Sequence, residues 1–173
     1  TNQYEGLKTM AEVKLSPWQR VNGLNMLNIL SHGESALIPL LDTNQNACDF
    51  VMIDVNNNWQ TTGGNRCVPS GFYSTFGDRA GKCTYICVEP ANSAHASVYM
   101  DCQVVCCYET ENIESVANNF DGEVMVVVAG MDDVEQSDVC KLSQLTYNAQ
   151  NRTVGRDVYK PFEIADKRKE NGK

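Results

Sequence analysis

Eight cysteines, Cys48, Cys67, Cys83, Cys87, Cys102, Cys106, Cys107 and Cys140, constrain this 173-residue chain more than any other feature. An even, high count in a small acidic chain points to an oxidising compartment and up to four disulfides. The competing chemistry is zinc, whose structural sites draw thiolates in close pairs from turns. Cys83-x3-Cys87 and Cys102-x3-Cys106 have a permitted spacing, but both pairs fall in strand-like segments. Adjacent Cys106 and Cys107 would point to opposite faces of a strand, which argues against a shared metal.

The segments around these cysteines read as β. Asp49 to Val55 is short, apolar and β-branched, and it ends in the turn cluster Asn56-Asn57-Asn58. Thr84 to Val88 is a strand that Pro90 stops. Val98, Met100, Cys102, Val104, Cys106 and Tyr108 alternate with polar residues, the mark of a half-buried strand. Val124 to Ala129 is an unbroken apolar run between Gly122 and Gly130, as expected for a central strand covered on both faces. Leu142 to Tyr147 and Thr153 to Ile164 supply two further candidates. One helix is predicted, from Pro17 to Ser31, because Ser16, Pro17 and Gln19 make a capping box. Abundant Asn implies long loops. The predicted fold is therefore mainly β, a disulfide-stapled antiparallel β-sandwich or barrel-like domain with one short N-terminal helix. Residues 1–165 read as this single domain and residues 166–173 as a basic solvated tail.

Register suggests the pairing. In antiparallel strands opposed residues keep a constant sum of residue numbers, and Cys83–Cys106 and Cys87–Cys102 share one such sum. Both bridges would then lie on one face, with Pro90 to Ser97, rich in loop formers, closing the connection. Cys48–Cys67 remains as a local pair, and Cys107–Cys140 as the last.

The net charge of −8 sets the partners. Such a surface repels phosphate backbones and anionic lipid, so nucleic acid is not expected as a partner. No apolar run approaches the ~18–20 residues that span a bilayer, so membrane insertion is not expected either. The chain begins at Thr1, which reads as a processed end and fits secretion. Asn151-Arg152-Thr153 is a sequon, making Asn151 a glycosylation acceptor in a secreted protein.

Catalytic patterns are sparse. His32 and His95 are the only histidines, the first beside Gly33 at a helix end or turn, the second in a small-residue loop. Asp132, Asp133 and Glu135 follow the Val124–Ala129 strand and could supply paired carboxylates to a hydrolase, although a solvated acidic turn has the same composition. Calcium is the one cofactor the loops allow, because Asp42-x-Asn44-x-Asn46 offers alternate oxygens; an ordinary Asx turn would use the same residues. Trp59, Tyr73 and Phe76 lie in Gly- and Asn-rich loops, where exposed aromatics could anchor a ligand.

These features predict a non-enzymatic extracellular recognition module whose aromatics meet a protein or glycan on a cell surface or in a matrix. The alternatives are a structural subunit of a secreted, self-associating assembly, and a carboxylate-dependent hydrolase.

Overall fold

A computed structural model describes residues 3–122, 124–129 and 156–159. Helix α1 (Gln3–Met10) lies against the first sheet, with Tyr4 stacked on Phe50 at 4.9 Å between ring centroids. Helix α2 (Pro17–Val21) starts as the capping box requires: the Ser16 hydroxyl accepts the Gln19 N–H at 3.3 Å, and Pro17 occupies the first turn. It is only 5 residues long, not the helix to Ser31 that was predicted. The Asn22 side-chain amide donates to the Trp18 carbonyl at 2.8 Å, and Gly23 turns left-handed at φ +66°, a common way to end a helix. Buried Gln19 then donates to the carbonyls of Leu24 and Leu27, satisfying the irregular stretch that follows.

Four strands form an antiparallel sheet in sequence order: β1 (Leu30–His32), β2 (Ser35–Leu41), β3 (Ala47–Ile53) and β4 (Trp59–Thr61). Its two longer turns share one construction. Asp42 accepts the N–H groups of Asn44 and Asn46 at 2.8 and 3.0 Å, and Asp54 accepts those of Asn56 and Asn58 at 2.9 and 3.0 Å. Gln45 and Asn57 take the left-handed position of each turn. Asx side chains that mimic a backbone turn explain why this region is so rich in Asn.

The second sheet is mixed and has the order β5-β7-β6-β8-β9. Its strands are β5 (Ser74–Phe76), β6 (Thr84–Cys87), β7 (Val104–Cys106), β8 (Val124–Ala129) and β9 (Arg156–Tyr159). Only β5 runs antiparallel to its neighbour; β6 pairs parallel with both β7 and β8, and β8 pairs parallel with β9. Between β6 and β7 lies α3 (Pro90–Met100), packed on β6, β7 and β8. A 3-10 turn (Thr110–Asn112) and α4 (Ile113–Ala117) cover the other face, where Ile113 and Val116 meet Ile86, Val105, Val124 and Val126. This double cover accounts for the unbroken apolar run of β8, as predicted.

Several expectations are therefore corrected. The fold is not an antiparallel sandwich or closed barrel; it joins an antiparallel sheet to a mostly parallel one with helices on it. The alternation from Val98 to Tyr108 is not one strand. Pro90 begins a helix after stopping β6, and α3 runs to Met100, where Asp101 at φ +55° breaks it before β7. Small buried Ser93, Ala94, Ala96 and Ser97 let that helix approach the sheet closely. β6 and β7, joined by this helix, pair in parallel, which removes the register behind the predicted bridges. Cys87 stands beside Cys106, not Cys102. No disulfide links any of the seven described cysteines, so Cys48–Cys67, Cys83–Cys106 and Cys87–Cys102 do not form, and Cys107 carries a thiol. Cys140, Asn151, Leu142 to Tyr147 and the tail from 166 lie outside the described residues, as does most of Thr153 to Ile164, which contains β9.

Apolar packing takes over the role assigned to disulfides. Trp18, Ile38, Val51 and Ile53 from the first half meet Phe76, Ala94, Cys106 and Tyr108 from the second in one buried cluster. Tyr108 donates to the Ser74 hydroxyl at 2.7 Å, which donates to the Pro39 carbonyl at 2.7 Å, so a buried hydrogen-bond chain crosses the same seam. Close by, buried Asn112 accepts the Gly71 N–H at 2.7 Å and donates to the carbonyls of Phe72 and Cys107.

Two measurements check this core. Asn112→Ala leaves the Gly71 N–H without its partner and should cost about 1–3 kcal/mol in urea unfolding; an unchanged midpoint would contradict the role given to Asn112. Burial pushes the Cys87 thiol up to about 11, and Cys106 and Cys107 are raised by the same desolvation. Their folded values exceed the unfolded value of 9.0, so the stability they contribute is complete below pH 9 and is lost as pH rises toward 11. Thermal melting should fall over that window, and less steeply for Cys87→Ala; equal slopes would refute the assignment.

Candidate functional site at the carboxyl edge of the parallel sheet

Open parallel sheets bind ligands outside the carboxyl ends of their strands, where successive connections leave in opposite directions. Here the connection after β6 passes through α3 to β7 on one side, whereas β8 lies on the other side of β6 with β9 beyond it. The strand order therefore puts its switch point between the carboxyl ends of β6 and β8.

Glu89 stands at that point. It follows β6 by two residues, holds an extended backbone at φ −80° and ψ 141°, and precedes Pro90 in the first turn of α3. Its carbonyl accepts both the N–H and the hydroxyl of Ser93, at 2.8 and 2.7 Å, which fixes the strand-to-helix corner. Its side chain makes no capping bond to the helix and is exposed. A second carboxylate, half-buried Glu109, stands at the end of β7. The parallel ladder continues past both strands, with Cys107 N–H on the Cys87 carbonyl at 3.0 Å and Tyr108 N–H on the Val88 carbonyl at 2.9 Å. Glu109 also accepts the Val68 N–H at 3.3 Å, so the loop between the two sheets is tied to this edge.

The thiols beneath the edge face inward. Cys106 donates to the Val88 carbonyl at 3.1 Å and Cys107 to the Glu109 carbonyl at 3.4 Å. With their ionisation pushed up by burial they remain protonated near neutral pH, and a protonated thiol is a poor metal ligand. Among the described residues no group of three or more His, Cys, Asp and Glu is gathered around a metal position.

The residues singled out from sequence are dispersed. Tyr73 and Phe76 are 2% and 3% exposed, which corrects the expectation of displayed rings. Trp59 is half-buried on β4, its ring centroid 4.8 Å from that of Tyr108. Asp42 turns one carboxylate oxygen onto its own hairpin, and Asn44 and Asn46 enter that turn through their backbone N–H groups. His95 is half-buried within α3, not in a loop, and burial lowers its pKa; His32 ends β1. Asp132, Asp133 and Glu135 lie outside the described residues, and in sequence Asp132 comes three residues after Ala129, the last residue of β8. Sequence reasoning missed Glu89 and Glu109. The signal for Glu89 was present as an acidic residue between a β-branched run and Pro90, the pattern of a strand leading into a helix.

No protein-family model and no curated protein matches the chain. A solved structure to which it is similar is that of the primase fragment of the bacteriophage T7 primase-helicase protein, with a TM-score of 0.49 and 17% identity. The match covers 80% of this chain and 59% of that one, so the chain spans less than two thirds of its length. Two expectations are corrected at this point. The non-enzymatic extracellular recognition module on a disulfide-stapled scaffold, with its protein or glycan partners, rested on disulfides that are absent among the described residues. The exclusion of nucleic acid rested on net charge alone, which averages the whole surface and does not describe any one part of it, so it is withdrawn.

Proposed function

We propose that the chain binds a divalent cation between the carboxyl ends of β6 and β8 and uses it to act on the phosphate of a nucleotide or polynucleotide. The observation that carries the reading is the position of Glu89, exposed at the switch point of the sheet, with the acids Asp132 and Asp133 shortly after the neighbouring strand β8 in sequence. Carboxylates are the hard oxygen donors that Mg²⁺ or Mn²⁺ prefers, usually with substrate phosphate completing the shell. The nearby thiols are inward-facing and protonated, so the donor set is oxygen and does not favour zinc. The bound cation would supply Lewis-acid stabilisation of charge on a phosphoryl oxygen.

The chain's own contribution is position. The Ser93 contacts hold the Glu89 corner, and α3 directs its positive end toward the same switch point, favouring a phosphate there. A chain of net charge −8 cannot draw in a polyanion by charge alone. The cation resolves this, because it neutralises the meeting of carboxylate and phosphate. Polynucleotide binding should therefore require the metal.

Titrating Mn²⁺ into the protein, followed by the relaxation of water protons, tests the reading. Glu89→Gln should weaken Mn²⁺ binding by roughly 10–100-fold, the loss seen when a metal's supporting groups are removed. Its melting temperature should stay unchanged, since the side chain is exposed. Single-stranded oligonucleotide binding should appear with Mn²⁺ and vanish with EDTA. Wild-type affinity in Glu89→Gln, or oligonucleotide binding indifferent to EDTA, would contradict the proposal.

A further inference from the structure

We propose that Cys83 and Cys102 form an oxidation-sensitive dithiol, a modification site at the amino edge of the parallel sheet. It is independent of the metal-site reading. The register between β6 and β7 carries it: Ile86 stands beside Val105 and Cys87 beside Cys106, an offset of 19 residues. The same offset continued toward the amino ends sets Cys83, the residue before β6, against Cys102, two residues before β7. Gly81 shows how close the two segments come. A Cβ placed there would lie 3.2 Å from the Cys102 sulfur and 3.3 Å from the Cys83 carbonyl oxygen, so the Cys102 thiol rests against the turn that carries Cys83. Two open clefts meet at this turn and share Ala80, Gly81, Lys82 and Tyr85; Cys83 lines one and Cys102 the other.

The second pair with the same offset is shielded. Cys87 and Cys106 are 1% and 0% exposed, and the Cys106 thiol donates to the Val88 carbonyl. Of these two pairs oxidant reaches the outer one, and reactivity follows access and thiolate character; exposed Cys67 and half-buried Cys48 lie elsewhere. Of the two, Cys83 is half-buried and Cys102 is 8% exposed, with its thiol held above its ordinary value by burial and the Asp101 carboxylate, so access sets Cys83 to react before Cys102. The co-reactant is a small-molecule disulfide. The Cys83 thiolate attacks one of its sulfurs, breaking that S–S bond and releasing one thiolate, to give a mixed disulfide. The Cys102 thiolate then attacks the Cys83 sulfur and releases the second small thiolate. The protein loses two protons and two electrons, and the small disulfide is reduced to two thiols. The fold is complete with both cysteines reduced, so the bond adds a clip across the α3 crossover and is not a staple of the fold.

Peptide mapping of the native protein after equilibration with glutathione disulfide tests this. After alkylation, chymotryptic cleavage at Tyr85 separates Cys83 from Cys87, and fragmentation at Val104 and Val105 separates Cys102 from Cys106. The expected result is a Cys83–Cys102 link, with both thiols regained with dithiothreitol, while Cys87 and Cys106 stay reduced and exposed Cys67 takes at most a glutathione adduct. Folded Cys102→Ser protein should instead keep a glutathione adduct on Cys83; if that variant does not fold, the wild-type map decides. No cross-link, or a link from Cys83 or Cys102 to any other cysteine, overturns the proposal.

Discussion

The parallel ladder between β6 and β7 is the constraint on which the rest depends. Parallel neighbours need a long crossover, and α3 is that crossover. Once α3 lies on one face of the sheet, the 3-10 turn and α4 close the other, and β8 must be apolar on both sides. The antiparallel sheet then attaches through a single seam. Leu41 bridges to Tyr73, Ser74 bonds to Pro39, and Trp18 packs 6.3 Å from Phe76, measured between ring centroids. Gly77 is needed after β5, because at φ +81° a Cβ there would lie 2.9 Å from the Cys102 carbonyl oxygen.

The same ladder gives the two edges of the sheet different chemistry. At the carboxyl edge, Glu89 follows β6 at a corner held by Ser93, and Glu109 follows β7 and accepts the Val68 N–H. Carboxylates carried on rigid elements can organise a cation with little reordering, which is why sites on strand ends are precise. At the amino edge the register sets thiols together. In both cases local backbone geometry, not net charge, decides the chemistry. A net charge of −8 describes the average surface and says little about a site where a cation can sit between carboxylate and phosphate.

Much of the local structure was legible in the sequence. The Ser16-Pro17-Gln19 cap begins a helix, the Asp42 and Asp54 clusters turn hairpins, and the Val124–Ala129 run lies inside a sheet. The failures came from patterns that fit two geometries. Period-two spacing of apolar residues from Val98 to Tyr108 spans half a helix and a three-residue strand, because Val98 and Met100 fall on α3 by coincidence of parity. The four cysteines Cys83, Cys87, Cys102 and Cys106 satisfy an equal-sum rule for antiparallel strands and an equal-difference rule for parallel ones. Residue numbers alone cannot separate these, and only recognising α3 does. Glu89 was hidden for the same reason: without the helix after it, the residue reads as part of a turn.

The account rests on the carboxyl edge of β6 and β8 being where a divalent cation binds. Iron-mediated cleavage addresses this directly. Fe²⁺ substituted for Mg²⁺ generates hydroxyl radicals that cut only the backbone close to the bound ion. The account predicts cuts near Glu89 and near Asp132, both suppressed by excess Mg²⁺. Cuts confined to the Asp42–Asn46 hairpin, or cleavage unaffected by Mg²⁺, would contradict it.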